Sequence, residues 1–226
     1  MTTAALLGLM LGAALVEPAR VLVSIGSDVG DPSEAPLKFA QKDAERVEAL
    51  FRELGGVSGR DAFLVTGGEV EGVRSAFKAA KARIDEHLRN ERPVVLVMYI
   101  SAHAAAGAVH LNGSLLTLKE VKSFLGSSGA KVRVLIVDAC EAGTLISRKG
   151  GAAAPVYDVH LEPLELEGQV VISSAGPAES AEEWDALAGS LFTHHFLTAL
   201  RGSAESGDDG SVTLAEAYSY AYRQTL

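Results

Sequence analysis

Short apolar runs alternate with amphipathic stretches along most of this chain. The uninterrupted apolar runs at 94–100 and 132–137 are typical of central parallel strands, which are covered on both faces. Shorter apolar runs predict further strands at 21–25, 62–65 and 169–174. Apolar residues recur at helical spacing between these runs, and the spacing predicts helices at 37–54, 70–88, 118–125, 191–200 and 214–222.

Strands and helices in alternation predict a three-layer α/β domain with a mostly parallel central sheet flanked by helices. Asn112-Gly113, between apolar residues at 109–116, predicts a two-residue hairpin. The loop after the first strand, residues 26–30, has neither the glycine spacing of a dinucleotide-binding loop nor the Lys-Ser/Thr of a nucleoside-triphosphate loop. A nucleotide-dependent enzyme is therefore disfavoured.

The ends of the chain leave two questions open. The uncharged apolar run at 4–16 is too short to span a bilayer but fits either a signal-peptide core, with Ala19 near a cleavage point, or a buried first helix. Both a cytoplasmic and an exported protein are consistent with it. We assign 1–19 to this segment and 20–226 to one domain, with a larger half at about 20–147 and a smaller half at about 156–226. The helical pattern at 215–226 has no cap after it, so we expect the natural chain to continue.

Composition narrows the function classes. The 226 residues are 48% hydrophobic and 22% charged, as in ordinary globular proteins, and the net charge is −9. A chain this acidic is a poor candidate for sequence-independent nucleic-acid binding. Its single cysteine, Cys140, excludes an internal disulfide and a cysteine zinc cluster.

Two reactive side chains follow the two most apolar strands. His103 comes just after 94–100, and Cys140 comes just after 132–137. Active sites of open α/β sheets lie beyond the carboxyl ends of their strands, where an imidazole can accept a thiol proton. From spacing alone, a packed cysteine and a structural histidine remain alternatives to a Cys–His dyad.

The residues around both positions resemble the caspase-like cysteine peptidases, the clan of caspases, metacaspases and their bacterial relatives. The histidine stands in Tyr99-Ile100-Ser101-Ala102-His103-Ala104, and the cysteine stands in Asp138-Ala139-Cys140-Glu141-Ala142-Gly143. Segment 37–44 is similar to the first helix of the family, and segments 172–175, 179–184 and 189–193 are similar to its smaller half. The resemblance covers about 20–226.

The resemblance implies a cysteine endopeptidase in which Cys140 is the nucleophile and His103 the general base. The backbone N–H groups of Cys140 and Ala104 would hold the oxyanion. No carboxylate or amide partner for His103 is evident in the sequence.

Specificity is also implied by position. Asp43, Ser101 and Asp138 match the metacaspase positions that receive Arg or Lys, whereas true caspases carry arginines there. We find no arginine beside these motifs, and Arg133 begins its strand at the opposite end. The expected partner is therefore a protein or peptide with a basic residue before the scissile bond, with no nucleic acid and no membrane span. A solvated Asp43 and a structural Asp138 are the alternative.

The segment rich in Gly and Ala that follows the cysteine motif is predicted to be a flexible loop. Arg148-Lys149-Gly150-Gly151 is either a self-processing site, as is common in the family, or an ordinary surface loop.

Other features leave room for a different function. Ala102 replaces the usual glycine, at a cost of about 1 kcal/mol if a positive φ is needed there, and Ala142 replaces a common serine. An inactive caspase-like interaction module is therefore the alternative function. A cysteine esterase ranks lower, because the Gly-x-nucleophile-x-Gly elbow of that class is absent.

We expect no cofactor. Segment 205–216 resembles a degenerate calcium loop with Gly207 at the third ligand position, which keeps calcium dependence open. A helix capped by Thr213 with Glu216 as its box partner is the favoured interpretation. His194 and His195 point about 100° apart on a helix and do not form a joint metal site.

Overall fold

A computed structural model of the chain describes residues 16–139, 168–174, 183–205, 207 and 210–225. Five parallel strands form the main sheet in the order β2-β1-β3-β7-β8. Their bounds are β1 Ala19–Gly26, β2 Ala62–Thr66, β3 Val94–Ser101, β7 Val132–Asp138 and β8 Gly168–Ser173. The chain runs outward from β1 to β2 and then crosses back to β3. The sheet therefore has a topological switch point between β1 and β3, where α/β proteins bind their ligands.

Five helices cover the two faces of the sheet. The helices are α1 Ala40–Glu53, α2 Val70–Arg89, α3 Leu118–Ser127, α4 Leu191–Thr198 and α5 Leu214–Thr225. The apolar side chains of α2 and α3 pack on one face of β1, β3 and β7. Those of α1, α4 and α5 pack on the other face, where Tyr99 is fully buried. The predicted three-layer architecture is confirmed.

Two small antiparallel sheets lie beside the main one. The first contains β4 His103–Ala105, β5 Ala108–Leu111 and β6 Ser114–Thr117. Its β5–β6 connection is Asn112-Gly113, both with positive φ (47° and 78°), so the predicted hairpin is confirmed with the left-handed conformation it requires. The second small sheet pairs β9 Glu183–Trp184 with β10 Gly189–Ser190.

The periodicity predicted the larger elements well and the smallest ones poorly. All five main strands and all five helices are present, although α1 begins at Ala40 rather than at residue 37, and α4 continues into a π-helical turn at Ala199–Ser203. No pattern in the sequence predicted β4, β9 or β10, because two or three residues are too few for a period-2 signal.

Two local predictions can be checked directly. Thr213 and Glu216 form the predicted capping box, since the Glu216 amide donates to Thr213 Oγ1 (3.2 Å) and the Thr213 amide donates to Glu216 Oε2 (2.9 Å). Ala102 is buried and does not have a positive φ. Its replacement of glycine therefore carries no left-handed strain, and that argument for an inactive protein is removed.

Gly26 lets α1 approach the end of β1. A Cβ at this position would collide with the Ala40 carbonyl oxygen and lie 2.8 Å from Ala44 Cβ. Both atoms belong to the first turns of α1, the helix that carries Asp43. The backbone here has no room for a side chain.

We expect Gly26→Ala to lower the free energy of unfolding by about 1–3 kcal/mol, the usual cost of overpacking a core. The matched control is Gly126→Ala on α3, where an added Cβ meets nothing within 4 Å. The control should be neutral or stabilising by about 0.5–1 kcal/mol, because Ala is the better helix former. Urea denaturation of the three proteins measures both effects, and equal midpoints for Gly26→Ala and wild type would contradict the packing argument.

Candidate active site

Three neighbouring strands end at the same level of the sheet. In the register of β1, β3 and β7, Gly26 lies opposite Ser101, and Ser101 lies opposite Asp138. The Ser27 amide continues the alignment by donating to the Ser101 carbonyl (3.0 Å). Both motifs singled out in the sequence therefore start from paired positions on adjacent strands, about 4.8 Å apart.

His103 lies two residues beyond Ser101, as the first residue of β4. Its ring is partly buried, and Nε2 lies 2.9 Å from the carbonyl oxygen of Ala35. A carbonyl oxygen can only accept, so Nε2 carries the proton and donates it. Nδ1 is then the unprotonated nitrogen of the neutral ring. The sequence could not indicate this partner, because it is a backbone group in a loop 68 residues earlier.

The predicted nucleophile itself lies outside the described residues. The structure describes the chain up to Ala139, which is buried, and Cys140 is the next residue. Ala142 and the predicted self-processing residues Arg148 and Lys149 also lie outside the described part. Ala104, predicted to help bind an oxyanion, is in β4 opposite Val109.

Ser190 connects two of the predicted specificity residues. Its amide donates to Asp43 Oδ2 (2.7 Å), and its hydroxyl donates to Asp138 Oδ2. The same Oγ accepts the Thr193 amide (3.0 Å) and so caps α4. Asp43 comes from α1 and Asp138 from β7, so the predicted grouping of these two carboxylates is present. Ser101, the third predicted member, is buried at the end of β3.

A second hydroxyl chain reaches Asp138 from the core. Thr193 Oγ1 donates to Asp138 Oδ2 (2.6 Å) and lies 2.6 Å from the Tyr99 hydroxyl. Because the one hydroxyl proton of Thr193 goes to Asp138, the Tyr99 hydroxyl is the donor to Thr193. Ser190 and Thr193 lie in a family-like segment of the sequence, 189–193, but no role was predicted for them. The N-cap position of Ser190 before a predicted helix was the available signal.

Arg46 corrects the expectation that no arginine stands beside these motifs. Its Nη1 lies 3.3 Å from Asp43 Oδ1 and donates to the Ala188 carbonyl (2.8 Å). Asp43 and Arg46 are three residues apart on α1, which is the spacing of a helical ion pair, so the sequence did contain the signal. The placement of Arg133 was right, since it is the second residue of β7, opposite Leu96 and Gln169 and at the far end of the strand from Asp138.

Burial dominates the electrostatics of the two carboxylates. Asp43 is 1% exposed and Asp138 is 3% exposed. Burial raises the pKa of Asp43 to about 7, and the nearby Asp138 adds to the rise, although the Ser190 amide and Arg46 oppose it. Burial also raises the pKa of Asp138, against the hydroxyl groups of Ser190 and Thr193. Asp43 is therefore not a solvated helix residue, as the alternative interpretation had it.

One carboxylate oxygen of Asp138 can accept a further hydrogen bond. Within the described residues, Asp138 Oδ1 and the Ser174 hydroxyl are buried without a hydrogen bond of good geometry, although the Ser174 hydroxyl is close enough to Asp138 to oppose the rise of its pKa. Buried polar atoms without partners are uncommon and cost free energy, so each calls for a ligand or another explanation.

The described residues give no support for a metal or a membrane segment. No group of three or more His, Cys, Asp or Glu side chains within them could hold a metal ion. None of the described helices is long and apolar enough to cross a bilayer.

Comparison with known proteins identifies the family. Residues 20–219 match the caspase domain of peptidase family C14, and the chain therefore belongs to the caspase-domain family of cysteine peptidases. Its fold is similar to that of caspase-1 from Spodoptera frugiperda, with a TM-score of 0.59 and 11% sequence identity over 83% of this chain and 72% of that one. No curated protein sequence matches the chain.

The raised pKa of Asp43 predicts a pH-dependent stability. Between its ordinary value of 3.8 and about 7, folded Asp43 holds a proton that the unfolded chain has lost. The contribution of Asp43 to the free energy of unfolding is therefore at its maximum below pH 3.8, and it is lost as the pH rises through about 7. Asp43→Asn, whose amide oxygen still accepts the Ser190 amide, should remove the loss.

Thermal melts from pH 5 to 8 check this expectation. Wild-type Tm should fall with pH relative to Asp43→Asn, whereas Glu53→Gln at the exposed end of α1 should run parallel to wild type. Parallel curves for wild type and Asp43→Asn would contradict the shifted pKa.

Proposed function

We propose that this protein is a cysteine endopeptidase with a His103–Cys140 dyad that cleaves after Arg or Lys. The observation that carries the proposal is the register of β3 and β7. Ser101 and Asp138 lie opposite each other at the ends of these strands. His103 follows Ser101 by two residues, and Cys140 follows Asp138 by two residues. Membership of the caspase-domain family supports the same chemistry.

His103 is prepared to act as a base by its contact with Ala35. Because Nε2–H is held by the Ala35 carbonyl (2.9 Å), Nδ1 is the nitrogen available to accept the Cys140 proton. The thiolate attacks the scissile carbonyl carbon, and the protonated imidazole then gives its proton to the leaving amine. Water, deprotonated by His103, hydrolyses the acyl-enzyme and restores the thiol. The N–H groups of Cys140 and Ala104 stabilise the oxyanion of each tetrahedral intermediate.

The carboxylates of Asp43 and Asp138 support basic specificity. A guanidinium or ammonium group would supply the donor that Asp138 Oδ1 lacks and would compete with Arg46 for Asp43, whose contact is long at 3.3 Å. Ser101 ends β3 directly opposite Asp138 in the strand register. Because both acids are buried, a substrate side chain reaches them only when the contacts of Ser190 or Arg46 are displaced.

The proposal is tested with fluorogenic peptides that end in Arg or in Asp. We expect cleavage after Arg that is lost in Cys140→Ala and reduced by about 10³-fold or more in His103→Ala, since removing a catalytic base alone has effects of this size. Cleavage after Asp would overturn the specificity and retain the peptidase. No cleavage of either peptide by a folded protein would favour the interaction module.

Self-processing is read from the same preparations on a gel. Wild type should yield two fragments that meet near Lys149, whereas Cys140→Ala and the double variant Arg148→Gln/Lys149→Gln should remain intact. Cleavage of the double variant at the same place would contradict the assignment of this loop.

The role of Asp43 in specificity is tested separately from its role in stability. We expect Asp43→Asn to lower kcat/KM for the Arg peptide by about 10–100-fold, the loss of one charge-assisted contact, while alkylation of Cys140 by iodoacetamide is unchanged. The pKa of Asp43 adds a pH signature, because wild-type activity on Arg should rise as Asp43 ionises at about pH 7. A normal kcat/KM in Asp43→Asn would remove Asp43 from the substrate pocket.

A further inference from the structure

Glu34 and His110 form a contact directly beside the proposed base. Both carboxylate oxygens of Glu34 lie within hydrogen-bonding distance of His110 Nδ1 (2.9 and 3.0 Å). His110 is the cross-strand partner of His103 in the β4–β5 ladder. Glu34 immediately precedes Ala35, whose carbonyl oxygen holds His103 Nε2. The two histidines are therefore tied to consecutive residues of one loop.

The loop that carries Glu34 and Ala35 is closed on itself and fixed to the small sheet. The Asp31 amide donates to Glu34 Oε2 (2.6 Å), and the Glu34 amide donates to the Asp31 carbonyl oxygen (2.9 Å). The start of the loop is bound to the β5–β6 hairpin, because the Asn112 and Gly113 amides donate to the Val29 and Gly30 carbonyls (2.8 and 2.9 Å).

Gly30 shows how tightly the loop packs against the proposed base. A Cβ on Gly30 would collide with Glu34 Oε2 and would lie 2.8 Å from His103 Cδ2. Gly30 therefore packs against both the Glu34 carboxylate and the His103 ring, with no room for a side chain. Glu34 is close enough that both histidines contribute favourably to its charged form.

The charge state of Glu34 agrees with this arrangement. Partial burial raises its pKa, but the Asp31 amide and His110 outweigh burial and hold the pKa of Glu34 below its ordinary value. Asp31, Glu34, His103 and His110 are the titratable groups that face one another here among the described residues. At neutral pH the Glu34 carboxylate therefore lies 2.9 Å from the His110 ring, and Gly30 packs against both Glu34 and His103.

We propose that Glu34 and His110 are positioning residues for His103: their contact holds the loop so that the Ala35 carbonyl fixes the His103 ring with Nδ1 free. This inference rests on the proposed His103–Cys140 dyad. Glu34 and His110 lie outside the family-like motifs, and they would orient the base of that dyad.

The test is the pH dependence of Cys140 alkylation, followed by intact mass, because Cys140 is the only cysteine in the chain. A His103 partner lowers the apparent pKa of the thiol below its ordinary value of about 8.5. Glu34→Ala should raise that apparent pKa by about one unit, which is roughly a tenfold lower rate at pH 6. Glu34→Gln keeps an acceptor for His110 and should recover most of the rate, and Glu34→Ala/His110→Ala should be no worse than Glu34→Ala.

Controls separate this inference from the proposed function. Glu53→Ala removes an exposed carboxylate far along α1 and should leave the profile at its wild-type position. If His103→Ala shifts the profile and Glu34→Ala does not, the positioning role is wrong and the dyad stands. If His103→Ala itself causes no shift, the dyad and the positioning role both fail.

A spectroscopic measurement keeps the test independent of reactivity and folding defects. In long-range ¹⁵N–¹H spectra, neutral His103 should be the Nε2–H tautomer in wild type and should become a tautomer mixture in Glu34→Ala. Gly30→Ala should produce the same loss by pushing the carboxylate and the imidazole apart. An unchanged Nε2–H tautomer in both folded variants would overturn the proposal.

Discussion

The parallel register of β3 and β7 is the constraint on which the site depends. It sets Ser101 opposite Asp138, and it brings two segments that are far apart in sequence to one edge of the sheet. A slip of one residue would turn every side chain of β7 to the opposite face and so would disrupt the close packing of both faces. The hydrophobic core thus determines where the histidine and cysteine motifs begin.

The same packing explains how Asp43 and Asp138, the proposed specificity residues, are held. Burial makes two neighbouring carboxylates costly, and three donors reduce the cost: the amide and hydroxyl of Ser190 and the hydroxyl of Thr193. Ser190 also caps α4, so the helix that closes the core and the polar network depend on one side chain. The long Arg46 contact and Asp138 Oδ1, which has no hydrogen bond of good geometry among the described residues, support the proposed binding of a basic side chain.

Much of this arrangement could be predicted from the sequence, for physical reasons. Long elements carry enough apolar residues to define a period, so the sheet and the five helices were predicted, and Asn112-Gly113 encodes its own turn. The grouping of Asp43 with Asp138 came from the family resemblance, not from spacing. Arg46 was missed although its helical spacing from Asp43 is visible, and no pattern of side chains predicts a backbone partner such as the Ala35 carbonyl. The contact of Glu34 with His110 depends on a short loop and on β4, both below the length at which periodicity carries information.

The most direct measurement of the central claim is covalent labelling of Cys140 by a peptidyl-arginine acyloxymethyl ketone, read as intact mass. The account predicts one label on Cys140 in wild type, almost none in His103→Ala, and none with the matching aspartate probe. Equal labelling of wild type and folded His103→Ala would contradict a His103–Cys140 dyad.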